Sequence, residues 1–209
     1  MKKSLLFLFI FTLALSLGFG QAKKFQISLF GGLNQVLEYG SEDEYLMGEN
    51  DFPVTPSHTP FSFGTAFAYS LTKNIALELE VRFALSSQVT LVDPSDQDTV
   101  EVNTSSHISG TLNFLYHFLN GRIRPYIVFG GGIDKILAKD ETYTSDYGYE
   151  VKFIAPEKTI DPVAQAGGGI HYLLSQNAGA RLDLRYELIF DEPNNINSLN
   201  LTLGFFLRF

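Results

Sequence analysis

Side-chain alternation of period two, sustained over eight segments of roughly 10 to 14 residues, limits what this chain can become. The segments are 25–34, 61–71, 75–86, 105–118, 124–134, 163–174, 180–190 and 197–209. A strand turns successive side chains to opposite faces, so alternation defines two faces at once. In the third segment Ile75, Leu77, Leu79, Val81, Phe83 and Leu85 alternate with Ala76, Glu78, Glu80, Arg82 and Ala84. In the seventh, Ala180, Leu182, Leu184, Tyr186, Leu188 and Phe190 alternate with Arg181, Asp183, Arg185, Glu187 and Ile189. One face is lipid-like and the other is charged. A single strand of this kind also suits a soluble sandwich with a solvated face. Eight of them match the span that a tilted strand needs to cross a bilayer.

The connections sort by length. Short ones lie at 72–74, at 119–123 around Asn120-Gly121, and at 175–179, where Asn and Gly supply the positive φ of hairpin turns. Longer ones lie at 35–60, 87–104 and 135–162, with a shorter member at 191–196. Short and long alternate throughout, as periplasmic turns and external loops do in an outer-membrane barrel. An even strand number puts Lys23-Lys24 and Phe209 together on the short-turn side. The expected fold is all-β: an eight-stranded, antiparallel, up-and-down transmembrane β-barrel over residues 23–209.

The N-terminus has a basic start, Met1-Lys2-Lys3, an apolar run over 5–17, and small residues in Gly18-Phe19-Gly20-Gln21-Ala22. This is the pattern of a secretory signal peptide over residues 1–22, with cleavage after Gly20 or Ala22. An apolar run of about 15 residues falls short of the roughly 20 that a spanning helix needs. Loss of Lys2 and Lys3 would leave 13 basic against 23 acidic residues, a net charge of −10. With such a balance nucleic acid is not expected as a partner. The chain has no Cys, so neither a disulfide framework nor a Cys-ligated metal is expected.

Aromatic residues gather toward the ends of the segments, as two interfacial girdles would. Phe25, Tyr69, Tyr116, Phe118, Tyr126, Tyr172 and Phe209 lie toward the turn side; Phe61, Phe63, Phe83 and Phe190 lie toward the loop side. The fifth segment, Tyr126-Ile127-Val128-Phe129-Gly130-Gly131-Gly132, is apolar on both faces, so alternation does not assign its facing. At the chain's end Leu203, Phe205, Leu207 and Phe209 share one face, opposite Gly204, Phe206 and Arg208.

On the signal peptide, the alternating segments and this ending, the chain resembles the small bacterial outer-membrane β-barrel family. These are the OmpA/OmpX-type eight-stranded barrels and their PorT-like relatives, and the resemblance covers residues 23–209. Leu203-x-Phe205-x-Leu207-x-Phe209 is similar to the signal that such proteins present to the barrel-assembly machinery. The resemblance implies a Gram-negative cell-envelope protein of the outer membrane, surrounded by lipid and lipopolysaccharide. The family's periplasmic peptidoglycan-binding domain is missing, so cell-wall tethering is not expected.

Eight strands enclose an interior just wide enough for side chains to fill. Alternation turns Glu78, Glu80, Arg82, Arg181, Asp183, Arg185, Glu187 and Arg208 inward, four acidic and four basic. Charges confined there need partners. Glu78 and Glu80 are therefore expected to reach across to Arg181 and Arg185 in a locked ion-pair network with Arg82, Asp183, Glu187 and Arg208. A gated conduction path is the alternative.

His107-Ile108-Ser109 resembles the His-x-Ser pair of the lipid A deacylase type of esterase. Catalysis would need an orienting carboxylate and oxyanion donors. No acidic residue follows at a matching position, because the strand runs on into Phe118-Leu119-Asn120-Gly121. His107, Ser109, Thr111 and Asn113 therefore read as a polar lumen face, and no enzymatic activity is expected. His117 and His171 also face inward but have no metal-ligand spacing, so neither a metal nor a cofactor is expected.

The first long loop carries Glu38, Glu42, Asp43, Glu44, Glu49 and Asp51, and the second Asp93, Asp96, Asp98 and Glu101, both without Lys or Arg. Solvation alone explains acidic external loops. Clustered carboxylates could also bridge to lipopolysaccharide or an envelope protein through divalent cations, although Asp93-Pro94-Ser95-Asp96-Gln97-Asp98 lacks the Gly and closing Glu of a calcium loop. Tyr143, Tyr147, Tyr149 and Phe153 suggest that the third loop protrudes as a hairpin for recognition. The expected role is structural, adhesive or assembly-related; a narrow channel, a membrane-embedded lipid esterase and a PorT-like secretion component are the alternatives.

Overall fold

The computed structural model describes residues 24–38, 60–86, 106–137, 160–190 and 195–209, and the backbone of five short strands between them. In chain order the strands are β1 (Phe25–Glu38), β2 (Val54–Pro56), β3 (Phe61–Ser70), β4 (Ile75–Ala84), β5 (Gln88–Val92), β6 (Thr99–Asn103) and β7 (Ser106–His117). They continue as β8 (Ile123–Leu137), β9 (Glu141–Thr144), β10 (Glu150–Phe153), β11 (Ile160–Leu173), β12 (Ala178–Ile189) and β13 (Ile196–Arg208). Eight of them close into an antiparallel barrel in the order β1-β13-β12-β11-β8-β7-β4-β3. Residues 1–22, read from sequence as a signal peptide, the calcium-like segment 93–98 and most of the loop carboxylates lie outside the described residues.

The register determines the barrel's girth. Stepping across paired residues from Phe25 through Tyr69, Leu77, Phe114, Phe129, Ala166, Tyr186 and Leu199 returns to β1 at Gln35, a shear of ten residues. Eight strands with that stagger tilt by roughly 40° and lie about 8 Å from the axis, given the usual strand spacing and rise. Such an interior holds side chains and little else. At the short-turn end Phe25 N–H donates to Phe209 O (3.4 Å) and Phe209 N–H to Phe25 O (2.9 Å), so the first and last strands seal without an edge.

Burial is inverted relative to a soluble protein. Leu29, Leu79, Leu112, Phe129, Leu184, Leu203 and Phe205 point outward and are exposed, while Ser28, Glu78, Asn113, Asp183 and Asn200 are buried. Only a lipid surround makes that distribution favourable, and closure pairs the backbone groups that lipid cannot satisfy. The fifth segment now has a facing: Tyr126 and Val128 point inward, Ile127 and Phe129 outward. Tyr126, read from sequence as a girdle residue, is buried in the lumen. Elsewhere in the turn-side girdle Phe25 lies 5.1 Å from Tyr69, and Tyr116 is edge-on to Phe118 at 5.4 Å between ring centres.

Strong coiling needs close backbone approach. A Cβ on Gly32 would lie 2.0 Å from Leu201 O, and one on Gly132 1.9 Å from Gly110 O, so neither position accommodates a side chain.

Beyond the membrane band, β8 runs to Leu137 and β11 starts at Ile160, further than alternation indicated, because Asp134 pairs with Asp161 and Lys135 with Ile160. Backbone pairing does not require apolar side chains once a strand leaves lipid. The third loop contains the β9–β10 hairpin, and the first and second loops join in a three-stranded sheet, β2-β5-β6, that sequence reading left as plain connections.

Candidate functional site in the lumen

β4 and β12 stand diametrically opposite in the ring, with three strands between them on either side. Their charged faces therefore meet across the lumen. Arg185 donates to Glu80 Oε2 (2.7 Å), Glu78 Oε1 (3.0 Å) and Asp183 Oδ1 (3.1 Å). Arg181 reaches Glu78 Oε2 (2.9 Å) and holds both oxygens of Asp183, from Nε at 2.7 Å and Nη2 at 3.0 Å. Arg82 on β4 reaches back to Glu187 on β12 (2.9 Å) and also binds Glu80 on its own strand (2.5 Å). All seven side chains are at most 5% exposed. Each carboxylate in this group meets at least one guanidinium, the condition under which buried charge is tolerable.

Arg208, expected in the same network, stands apart from it. It faces inward, but it pairs with Gln26 at the turn end and is only half-buried. No carboxylate among the described residues lies within ion-pair distance of it. Alternation gives the face on which a residue lies but not its height in the barrel, and Arg208 sits too low.

The structure adds members that charge counting missed. Tyr126 on β8 donates its hydroxyl to Asp183 Oδ1. Gln165 on β11 donates to Thr111 Oγ1 and Asn113 Oδ1, each at 2.7 Å, and accepts from Arg82 Nη2 at 3.4 Å. Polar residues at inward parity on β7 and β11 were the available signal. Below the ionic layer His117 Nε2 lies 3.3 Å from His171 Nδ1, and His171 packs against Tyr126 and Phe206 at 4.6 and 4.8 Å between ring centres.

At the loop end His107 Nδ1 lies 2.9 Å from Asp134 Oδ2. Sequence reading sought an orienting carboxylate downstream on the same strand. It comes instead from the neighbouring strand, where Asp134 pairs with Ser109. His107, Ser109 and Asp134 line, with Arg82 and Glu187, a cavity of about 50 Å³, room for a few water molecules. Ser109 Oγ makes no hydrogen bond to His107 among the described residues, so the pair lacks the nucleophile–base contact of a hydrolase. Among the described residues no three His, Asp or Glu side chains are grouped to hold a metal ion.

Leu203, Phe205, Leu207 and Phe209 all point outward along β13, with Phe206 buried behind them.

The structure defines a closed eight-stranded barrel with an apolar exterior and an ion-paired interior. The chain is similar to Neisserial surface protein A, at 14% identity over 88% of this chain and 97% of that one, with a TM-score of 0.53. It is also similar to the outer membrane protein OprG from Pseudomonas aeruginosa, at 14% identity over 90% and 97%, with a TM-score of 0.52. No family model and no curated protein matches. At these identities the fold is what is shared: this chain has the fold of the bacterial outer-membrane eight-stranded β-barrels.

Proposed function

We propose that this chain is a non-enzymatic outer-membrane protein whose barrel is a plugged anchor and whose external loops do its work in a structural, adhesive or assembly role. The opposed charge ladders of β4 and β12 carry this reading, because their side chains bond across the full width of the lumen. On this reading residues 1–22 direct export and are cleaved after Gly20 or Ala22. The outward Leu203-x-Phe205-x-Leu207-x-Phe209 face of β13 is presented to the barrel-assembly machinery. The β9–β10 hairpin and the acidic loops then meet lipopolysaccharide or an envelope protein partner.

Two measurements test the proposal. Purified protein in planar bilayers is expected to give no large, stable conductance, and a reproducible open level would remove the plug. Crosslinking in intact envelopes is expected to capture partners through the loops. Capture that survives deletion of residues 141–154 would show that the hairpin is not the recognition element.

A further inference from the structure

Among the described residues, the Lys, Arg, Asp and Glu side chains that build the turn end of the barrel are all cationic. Lys24 precedes β1, Lys73 lies in the β3–β4 turn, Arg122 in the β7–β8 turn, Arg124 at the start of β8 and Arg208 at the end of β13. The stretches that build this end, 24–26, 69–77, 116–126, 171–180 and 206–209, contain no Asp or Glu. None of the five bases has a carboxylate within ion-pair distance among the described residues. In a chain with a net charge of −8, gathering unpaired bases at one end makes a marked axial charge asymmetry.

The bases are held at a definite depth. The Arg122 guanidinium lies 5.1 Å above the centre of the Tyr172 ring, which faces outward in the girdle, and Arg122 Nε donates to Leu173 O at 3.0 Å. Lys24 adjoins Phe25, whose ring packs on Phe67 and Tyr69. Arg124 Nη2 donates to Lys73 O at 2.7 Å, and Asn120 Nδ2 to Asn74 Oδ1 at 3.2 Å, tying two turns into one rim. The exposed bases thus sit just beyond the aromatic band, where phosphate groups lie, and Arg122 does so on the lipid side rather than over the lumen.

We propose that this rim is an electropositive collar that binds the headgroups of anionic phospholipids in the leaflet it meets. The inference rests on the transmembrane reading above. A phosphodiester bearing a net negative charge suits unpaired guanidinium and ammonium groups, whereas a zwitterionic headgroup brings its own cation.

The test is electron spin resonance of spin-labelled lipids around the full-length barrel reconstituted in phosphatidylcholine. Labelled phosphatidylglycerol is expected to associate up to about fivefold more strongly than labelled phosphatidylcholine where it meets one base. The preference should vanish near 1 M salt, where the screening length is roughly 3 Å. Replacing Lys24, Lys73 and Arg122 together by Gln should abolish it, and Arg122→Gln alone, which keeps the Arg124–Lys73 and Asn120–Asn74 ties between the turns, should reduce it. Lys135→Gln, an outward base at the loop end, should leave it unchanged. Equal association of the two lipids with the native barrel, retention in the triple variant, or an equal loss in Lys135→Gln would each overturn the collar. An acidic periplasmic protein captured by a barrel without lipid preference would do so too. Absence of any immobilised lipid would instead remove the transmembrane reading itself.

Discussion

Arg185→Met tests whether the lumen is a dry ionic plug. Methionine retains the length of the side chain's stem and removes three hydrogen bonds, to Glu80 at 2.7 Å, Glu78 at 3.0 Å and Asp183 at 3.1 Å. Four carboxylates then share Arg82 and Arg181, and the cluster of Glu78, Glu80, Asp183 and Glu187 goes from one net negative charge to two. Removing one partner from a buried ion pair costs about 3–5 kcal/mol. We expect the lower end, about 3 kcal/mol or roughly a hundredfold in the folding equilibrium, because Glu80 keeps Arg82 while Glu78 and Asp183 keep Arg181. Glu80→Gln together with Arg185→Met should lose less than the two single changes added, with a coupling of at least about 1.5 kcal/mol. Equilibrium urea unfolding in lipid vesicles, followed by circular dichroism and by heat-modifiable gel mobility, reads both quantities. A loss below about 1 kcal/mol, the level of a solvated surface pair, would mean that water screens the guanidinium and that the plug argument fails.

Four other substitutions have outcomes set by the same geometry. Tyr126→Phe deletes one donor to Asp183 while both arginines remain, so urea unfolding should show a loss of about 1–2 kcal/mol; no loss would mean that the hydroxyl is not part of the network. Gly132→Val places its Cβ on Gly110 O, so the barrel should lose at least about 3 kcal/mol or fail to assemble in a folding assay. Gly110→Ala, which meets nothing within 4 Å, should fold normally, and equal behaviour of these two variants would contradict the register. Ser109→Ala should leave any background ester hydrolysis by the purified protein unchanged; a Ser109-dependent rate would instead make His107 and Asp134 catalytic partners.

Alternation settled the facing of most strands because an outward Leu and an inward Glu cannot exchange in a barrel surrounded by lipid. It failed at Tyr126, in a stretch apolar on both faces, and it was silent about Gln165, whose amide takes part in the network without carrying charge. The loop sheets also escaped it. Pairing of β2 with β5 depends on two loops meeting in space, which no local pattern records.

The amino-acid sequence by itself determined the number of barrel strands, their antiparallel order and the facing of every barrel strand except β8, all consequences of side-chain period and connection length. Alternation named Glu78, Glu80, Arg181 and Arg185 as partners across the lumen; only the tertiary structure decided the individual pairs and which charges stand outside them. The shear of ten sets the height of every residue along the axis, bringing Arg185 level with Glu80, holding Asp134 against His107 and leaving Arg208 at the rim. Height is a property of the closed ring, because it accumulates over eight registers and no single strand contains it.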